Sequence, residues 1–139
     1  MAAVNPYLHF NGTCKDAFTY YHSIFGGDAP HFSRFSDRPA GEDAPANADN
    51  LIMHTELHVN GGTALMGSDV LPEMGTFING SNFTVSIQAD SEEEAKRLFE
   101  GLAAGGEVTM PLQQTFWGST FGMFTDKFGV PWMINYSHG

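Results

Sequence analysis

Cysteine is nearly missing from this chain, with one residue, Cys14, among 139. A lone thiol excludes an internal disulfide and fits a protein kept in the reducing cytoplasm. Basic residues are scarce as well. Six Lys and Arg stand against sixteen Asp and Glu, a formal net charge of -10. That balance argues against nucleic acid or an anionic membrane as partner, since both are held through positive charge. The acidic excess is accounted for by solubility and does not by itself point to a bound cation. No apolar run is long enough to cross a bilayer, and the first residues do not read as a signal peptide. The length suits one domain, residues 1–139, with a sizeable core.

What the chain has in quantity is aromatic surface near its end. Phe116 to Tyr136 carries seven of the eighteen Phe, Trp and Tyr, including both tryptophans. Phe121–Thr125 and Trp132–Tyr136 are rich in β-preferring residues and read as strands. Asp126-Lys127-Phe128-Gly129 between them reads as a turn, with Gly129 free to take positive φ. Pro131 opens the second strand, where its missing N–H does least harm. A hairpin cannot bury so much aromatic surface alone, so the rest of the chain must close over it.

From the start, Tyr7–Asn11 reads as a strand and Gly12 breaks it. Thr13 is the expected N-cap of a helix whose apolar residues Ala17, Phe18, Tyr21, Ile24 and Phe25 keep helical spacing, and Gly26-Gly27 ends it. His31–Phe35 is a weak strand, and Ser36–Asn50 an acidic, Pro-containing mobile loop. Leu51–Val59 alternates and turns through Asn60-Gly61-Gly62 into Thr63–Met66. Asp69–Ser81 is a second loop. The pattern then restarts. Phe83–Gln88 is a strand, and Ser91-Glu92-Glu93-Glu94 is a capping box. Ala95, Leu98, Phe99 and Leu102 give the apolar face of the helix that follows. Gly105-Gly106 ends that helix, and Val108–Leu112 is the next strand.

The two halves match at an offset of just under eighty residues. Each reads strand, capped helix, Gly-Gly-acid, strand, hairpin. The expected fold is therefore α+β, a single domain of two βαβββ modules, about 4–69 and 82–137, with curved mixed sheets around a cleft suited to a small molecule.

This arrangement resembles the vicinal oxygen chelate superfamily of glyoxalase I, bleomycin-resistance proteins and extradiol dioxygenases, and within it the PhnB-like branch. The matching stretches are Pro6 to Gly12, Phe18 to Gly27, Ile52 to Leu57, Leu65 to Asp69, Phe116 to Gly122 and Asp126 to Asn135. The resemblance implies the glyoxalase/bleomycin-resistance fold and raises the expectation of a homodimer; the uncharged first strand and the uncharged tail strand, Trp132–Tyr136, are expected as poorly protected free edges that a twofold partner covers. It also implies metal ligands, His or Glu, on the first, fourth, fifth and last strands. Those places here hold Pro6 or Tyr7, Ser68 or Asp69, Asn82 or Phe83, and Met133 or a neighbour. Only Asp69 is of ligand type, and one carboxylate makes no transition-metal site, so no metal is expected. The branch is often labelled with a methyltransferase name. This chain shows no glycine-rich strand-to-helix turn suited to a methyl-donor nucleotide.

His54, Glu56 and His58 alternate on one strand and share a face, while Met53, Thr55, Leu57 and Val59 form the opposite, more apolar row. Residues two apart on a strand are separated by about 7 Å and four apart by about 13 Å. Metal bonds of about 2 Å let at most a neighbouring pair share one ion. His54 and Glu56 are the catalytic candidates, as a hydrogen-bonding or acid–base pair, with cross-linking of strands or a dimer contact as the structural alternative. His9 shares its row with Tyr7 and Asn11. The candidate ligand-binding residues are His9, His54, Glu56, Asp69 and Trp117. Cys14 stands at a helix N-terminus, where a thiolate is favoured, but reads better as a small buried thiol. Two function classes follow. One is a small-molecule-binding protein of bleomycin-resistance type that uses no metal or other cofactor. The other is a small lyase, isomerase or dioxygenase using a divalent metal or the His54/Glu56 pair.

Overall fold

The computed structural model describes residues 4–37, 50–59, 63–71, 77–80 and 82–137. The elements run β1 (Tyr7–Phe10), α1 (Cys14–Phe25), β2 (His31–Arg34), a 3-10 turn (Phe35–Asp37), β3 (Ile52–Val59) and β4 (Thr63–Asp69). Then come β5 (Val85–Gln88), α2 (Glu92–Ala103), β6 (Glu107–Gln114), β7 (Ser119–Thr125) and β8 (Pro131–Ser137). The βαβββ order occurs twice, in two compact units, Met1–Phe77 and Ile78–Gly139. Each unit has one four-stranded sheet, ordered β1-β4-β3-β2 in the first and β5-β8-β7-β6 in the second. In each, the first strand lies parallel to the last and the other pairings are antiparallel. The α+β fold expected from the sequence is the one observed.

In the first unit, Cys14, Ala17, Phe18 and Tyr21 form the buried stripe of α1 at helical spacing. Phe18 meets Phe10 edge-on at 6.0 Å and Tyr21 at 5.6 Å between ring centroids. The start of α1 is held from a distance. Thr13 occupies the N-cap position but makes no side-chain cap bond. Instead Asp69 Oδ1 accepts the amides of Gly12 at 3.0 Å and Cys14 at 2.9 Å, and Oδ2 accepts that of Ile52 at 2.9 Å. One buried carboxylate thus ties the β1–α1 junction, the start of β3 and the end of β4 together. The helix ends as expected at Gly26, whose φ is 75° and whose N–H donates to the His22 carbonyl at 2.8 Å.

The second unit is built around α2 and the last hairpin. Ser91 Oγ accepts the Glu94 amide at 3.0 Å, while Glu94 Oε1 accepts the Asp90 amide at 2.8 Å. The capping box therefore closes one residue earlier than its usual form. Ala95, Leu98, Phe99 and Leu102 are buried, as the spacing requires. The turn at Asp126–Gly129 is organised by its own carboxylate. Asp126 Oδ1 accepts the amides of Phe128 at 2.8 Å and Val130 at 3.0 Å, and Oδ2 accepts the Trp132 indole N–H at 2.8 Å. Trp132 is buried with Phe124 and Ile134.

Two expectations are corrected. The tail strand is expected at a free edge, but β8 lies inside its sheet between β5 and β7. The edges are β1 and β2 in the first unit and β5 and β6 in the second. Met53 was placed in the inward row of β3. The register shifts between Ser33 and Arg34, so Ile52 is buried at 1 % exposure and Met53 turns outward at 39 %. Most of the expected Ser36–Asn50 loop, the Asn60–Gly62 turn and residues 72–76 of the second loop lie outside the described residues. Among the described residues no helix is long and apolar enough to cross a membrane.

Candidate functional site

β3 divides its side chains as alternation demands. Thr55 and Leu57 are buried, whereas His54, Glu56 and His58 emerge on the other face, partly exposed. There the three form a continuous chain. His54 Nε2 lies 3.2 Å from Glu56 Oε1, and His58 Nε2 lies 3.4 Å from Glu56 Oε2. The Tyr7 hydroxyl lies 3.3 Å from His54 Nδ1. A carboxylate accepts only, so it selects the His54 tautomer with the proton on Nε2. Nδ1 is then free to accept from the Tyr7 hydroxyl. Tyr7, His54 and Glu56 thus form a hydrogen-bonded series with the phenol at its outer end.

Register supplies the rest of this face. β1 and β4 place Tyr7 opposite Met66 and His9 opposite Ser68, and β2 and β3 place His31 opposite Glu56 and Ser33 opposite His54. The Tyr7 ring lies 5.2 Å from that of His9 and 5.7 Å from that of His54, tilted against both. The result is a patch of imidazole, phenol and hydroxyl groups around a single carboxylate. Such exposed pairs stabilise a fold by about 0–1 kcal/mol each. The His54 and Glu56 side chains are 40 % and 42 % exposed, so folding alone gives little reason for the chain of contacts.

Of the expected site residues, His9, His54 and Glu56 are brought together. Asp69 is not. It lies on the opposite side of β4, 3 % exposed, and both its oxygens are engaged by backbone amides. Its physical role is to hold α1 and β3, which corrects its assignment to ligand contact. Trp117 belongs to the second unit, in the turn between β6 and β7. It is 58 % exposed and lies edge-on to Phe116 at 5.0 Å and to Phe121 at 6.1 Å. Tyr7 was missing from the expected site. Its shared parity with His9 was the available signal. Cys14 is fully buried, and burial, then the Asp69 charge, push its thiol up to about 12, so it is no thiolate nucleophile.

The model of the Glyoxalase/Bleomycin resistance protein/Dioxygenase superfamily matches residues 3–134. The chain belongs to that superfamily. It is 38 % identical to Protein YjdN of Escherichia coli over 140 residues, covering 95 % of this chain and 93 % of that protein. The crystal structure of protein PA1353 from Pseudomonas aeruginosa is 44 % identical and superposes with a TM-score of 0.88 over the whole of both chains. The PhnB protein of Bacillus cereus is 25 % identical, with a TM-score of 0.73 over 98 % of this chain and all of that one.

Superfamily membership raises the question of a metal. In the first unit the ligand positions implied by the resemblance are Pro6 or Tyr7, and Ser68 or Asp69. The one carboxylate among them is already saturated by the amides of Gly12, Cys14 and Ile52. In the second unit the positions hold an amide or a phenyl side chain and a thioether, Asn82 or Phe83 and Met133, a poor donor set for a divalent ion. The residues at the implied positions are therefore a poor donor set for such a metal. Among the described residues no group of three or more His, Cys, Asp and Glu side chains is placed to hold an ion.

Proposed function

We propose that this glyoxalase-superfamily protein binds a small molecule on the open face of its first sheet, with His54 and Glu56 at the centre and no metal taking part. The observation that carries the reading is the joined series Tyr7–His54–Glu56–His58. It aligns one donor and several amphoteric rings on a partly exposed face while adding little to stability. Such a surface recognises a ligand bearing both hydrogen-bond acceptors and a flat or apolar portion, the first meeting the imidazoles and phenol, the second the Tyr7 and His9 rings. The superfamily setting is consistent with this. The PhnB protein of Bacillus cereus shares the fold.

A second reading has one observation in its favour. The orientation of His54 by Glu56, with Nδ1 facing the Tyr7 hydroxyl, is the arrangement that makes a phenol useful as an acid or base. A small lyase or isomerase needs such a group. The two readings share residues and part on turnover. The test is residue-resolved NMR with compounds from a small-molecule screen. Binding at this face moves the Tyr7, His9, His54 and Glu56 signals together. Signals that stay still while compounds bind elsewhere overturn the reading.

The same account takes the protein as a homodimer, because β1 presents Tyr7, Leu8, His9 and Phe10 on an edge without a charged residue to blunt it.

A further inference from the structure

The second unit contains a cavity of about 380 Å³ on the helix side of its sheet. Its origin is legible in the register. Met110 pairs with Met123 and Gln113 with Phe121, so Pro111 and Leu112 together oppose the single residue Gly122. This is a β-bulge, and Pro111 suits it because proline has no N–H to give to a ladder. Gly122 is required beneath it. A Cβ there would stand 2.7 Å from Phe99 Cε2 and 3.0 Å from Leu112 Cα. The bare backbone lets Phe99, from α2, and the bulged strand converge over it. Phe99 and Leu112 become the apolar floor of the cavity.

Among the described residues, the charge of the walls lies on α2. Glu92, Lys96 and Glu100 recur every four residues and so lie along one flank of α2. The opposite wall is neutral, formed by Gln113 and Gln114. Glu92 is partly fixed, since Oε1 accepts from the Thr120 hydroxyl at 3.4 Å. Two carboxylates and one ammonium leave the flank net negative. The volume falls within the range of small-ligand pockets.

We infer that this cavity is a second binding site, for a small organic cation, an amine carried on a compact apolar body. The apolar body rests on Phe99 and Leu112, the ammonium pairs with Glu92 beside Thr120, Glu100 adds negative charge from about two turns further along α2, and the glutamine amides take its remaining polar atoms. The inference is independent of the His54 face, which lies in the other unit.

The test is NMR titration of the uniformly ¹⁵N-labelled full chain with benzylamine, and with benzoate as the isosteric anion. Benzylamine should shift the amides of Phe99, Leu112, Gln113, Gln114 and Thr120 saturably, and benzoate should leave them in place. The exposed double variant Glu92→Gln with Glu100→Gln should keep the fold and weaken benzylamine by about fivefold. The inference is overturned if benzoate moves the same amides as strongly, if benzylamine moves none of them, if its shifts gather around His54 instead, or if the double variant binds as the parent does.

Discussion

Asp69, at the end of β4, accepts the amide of Cys14 at 2.9 Å across 55 positions of sequence. The same carboxylate holds Gly12 and Ile52. Removing it strands three donors, at least two of them in buried surroundings, and each stranded buried donor costs about 1–3 kcal/mol. Asp69→Ala should therefore lose roughly 3 kcal/mol or more, and Asp69→Asn, which keeps the shape but loses part of the acceptor capacity, about 1–3 kcal/mol. Urea denaturation followed by circular dichroism measures both. An unchanged midpoint in Asp69→Ala would mean that the three amides find other partners.

Cys14 gives a pH dependence. Its thiol is raised from the ordinary 9.0 to about 12, by burial first and the Asp69 charge second. Between those values the unfolded chain has released the proton and the folded chain has kept it, so this group makes stability fall as pH rises through the window. Below pH 9 it contributes no slope. The wild type should lose more stability than Cys14→Ala between pH 9 and 11, and iodoacetamide should label Cys14 only as fast as the fold opens. Labelling at the rate of a free thiol under native conditions would contradict this.

Gly67 carries a steric prediction. A Cβ there would lie 2.6 Å from Phe18 Cε1 and 3.0 Å from the Leu8 carbonyl oxygen. The backbone cannot yield as a side chain can, so Gly67→Ala should destabilise by about 1–3 kcal/mol. Calorimetry decides it, and a rise in melting temperature would show that the helix has room to withdraw.

Local signals made most of the fold legible. The buried stripe of α1, the capping box of α2 and the Asp126–Gly129 turn each lie within a few residues, where spacing is visible in sequence. What failed depends on residues far apart. Nothing near Thr13 announces that Asp69 will hold the helix start. The outward turn of Met53 follows from a shifted pairing with β2, and the interior position of β8 from its parallel pairing with β5. The candidate site divides the same way. His54 and Glu56 were visible as alternating residues on one strand, but Tyr7 joins them only through the order β1-β4-β3.

The homodimer proposed above is checked by light scattering in moderate salt. A mass near twice 15.1 kDa at micromolar concentration is expected, with the acids of α2 outside the interface because like charges repel. A mass near 15.1 kDa would show that β1 needs no partner.

The central claim is that the His54–Glu56 face exists to bind. Its most direct measurement is a thermal-shift screen of one small-molecule library against the wild type, His54→Ala and Glu56→Gln. Both side chains are partly exposed, so the variants without ligand should melt close to the wild type, within about 1 kcal/mol of stability. Compounds that raise the wild-type melting temperature should fail to raise that of either variant. Equal stabilisation of all three proteins by the same compounds would contradict the claim and move the binding surface away from this face.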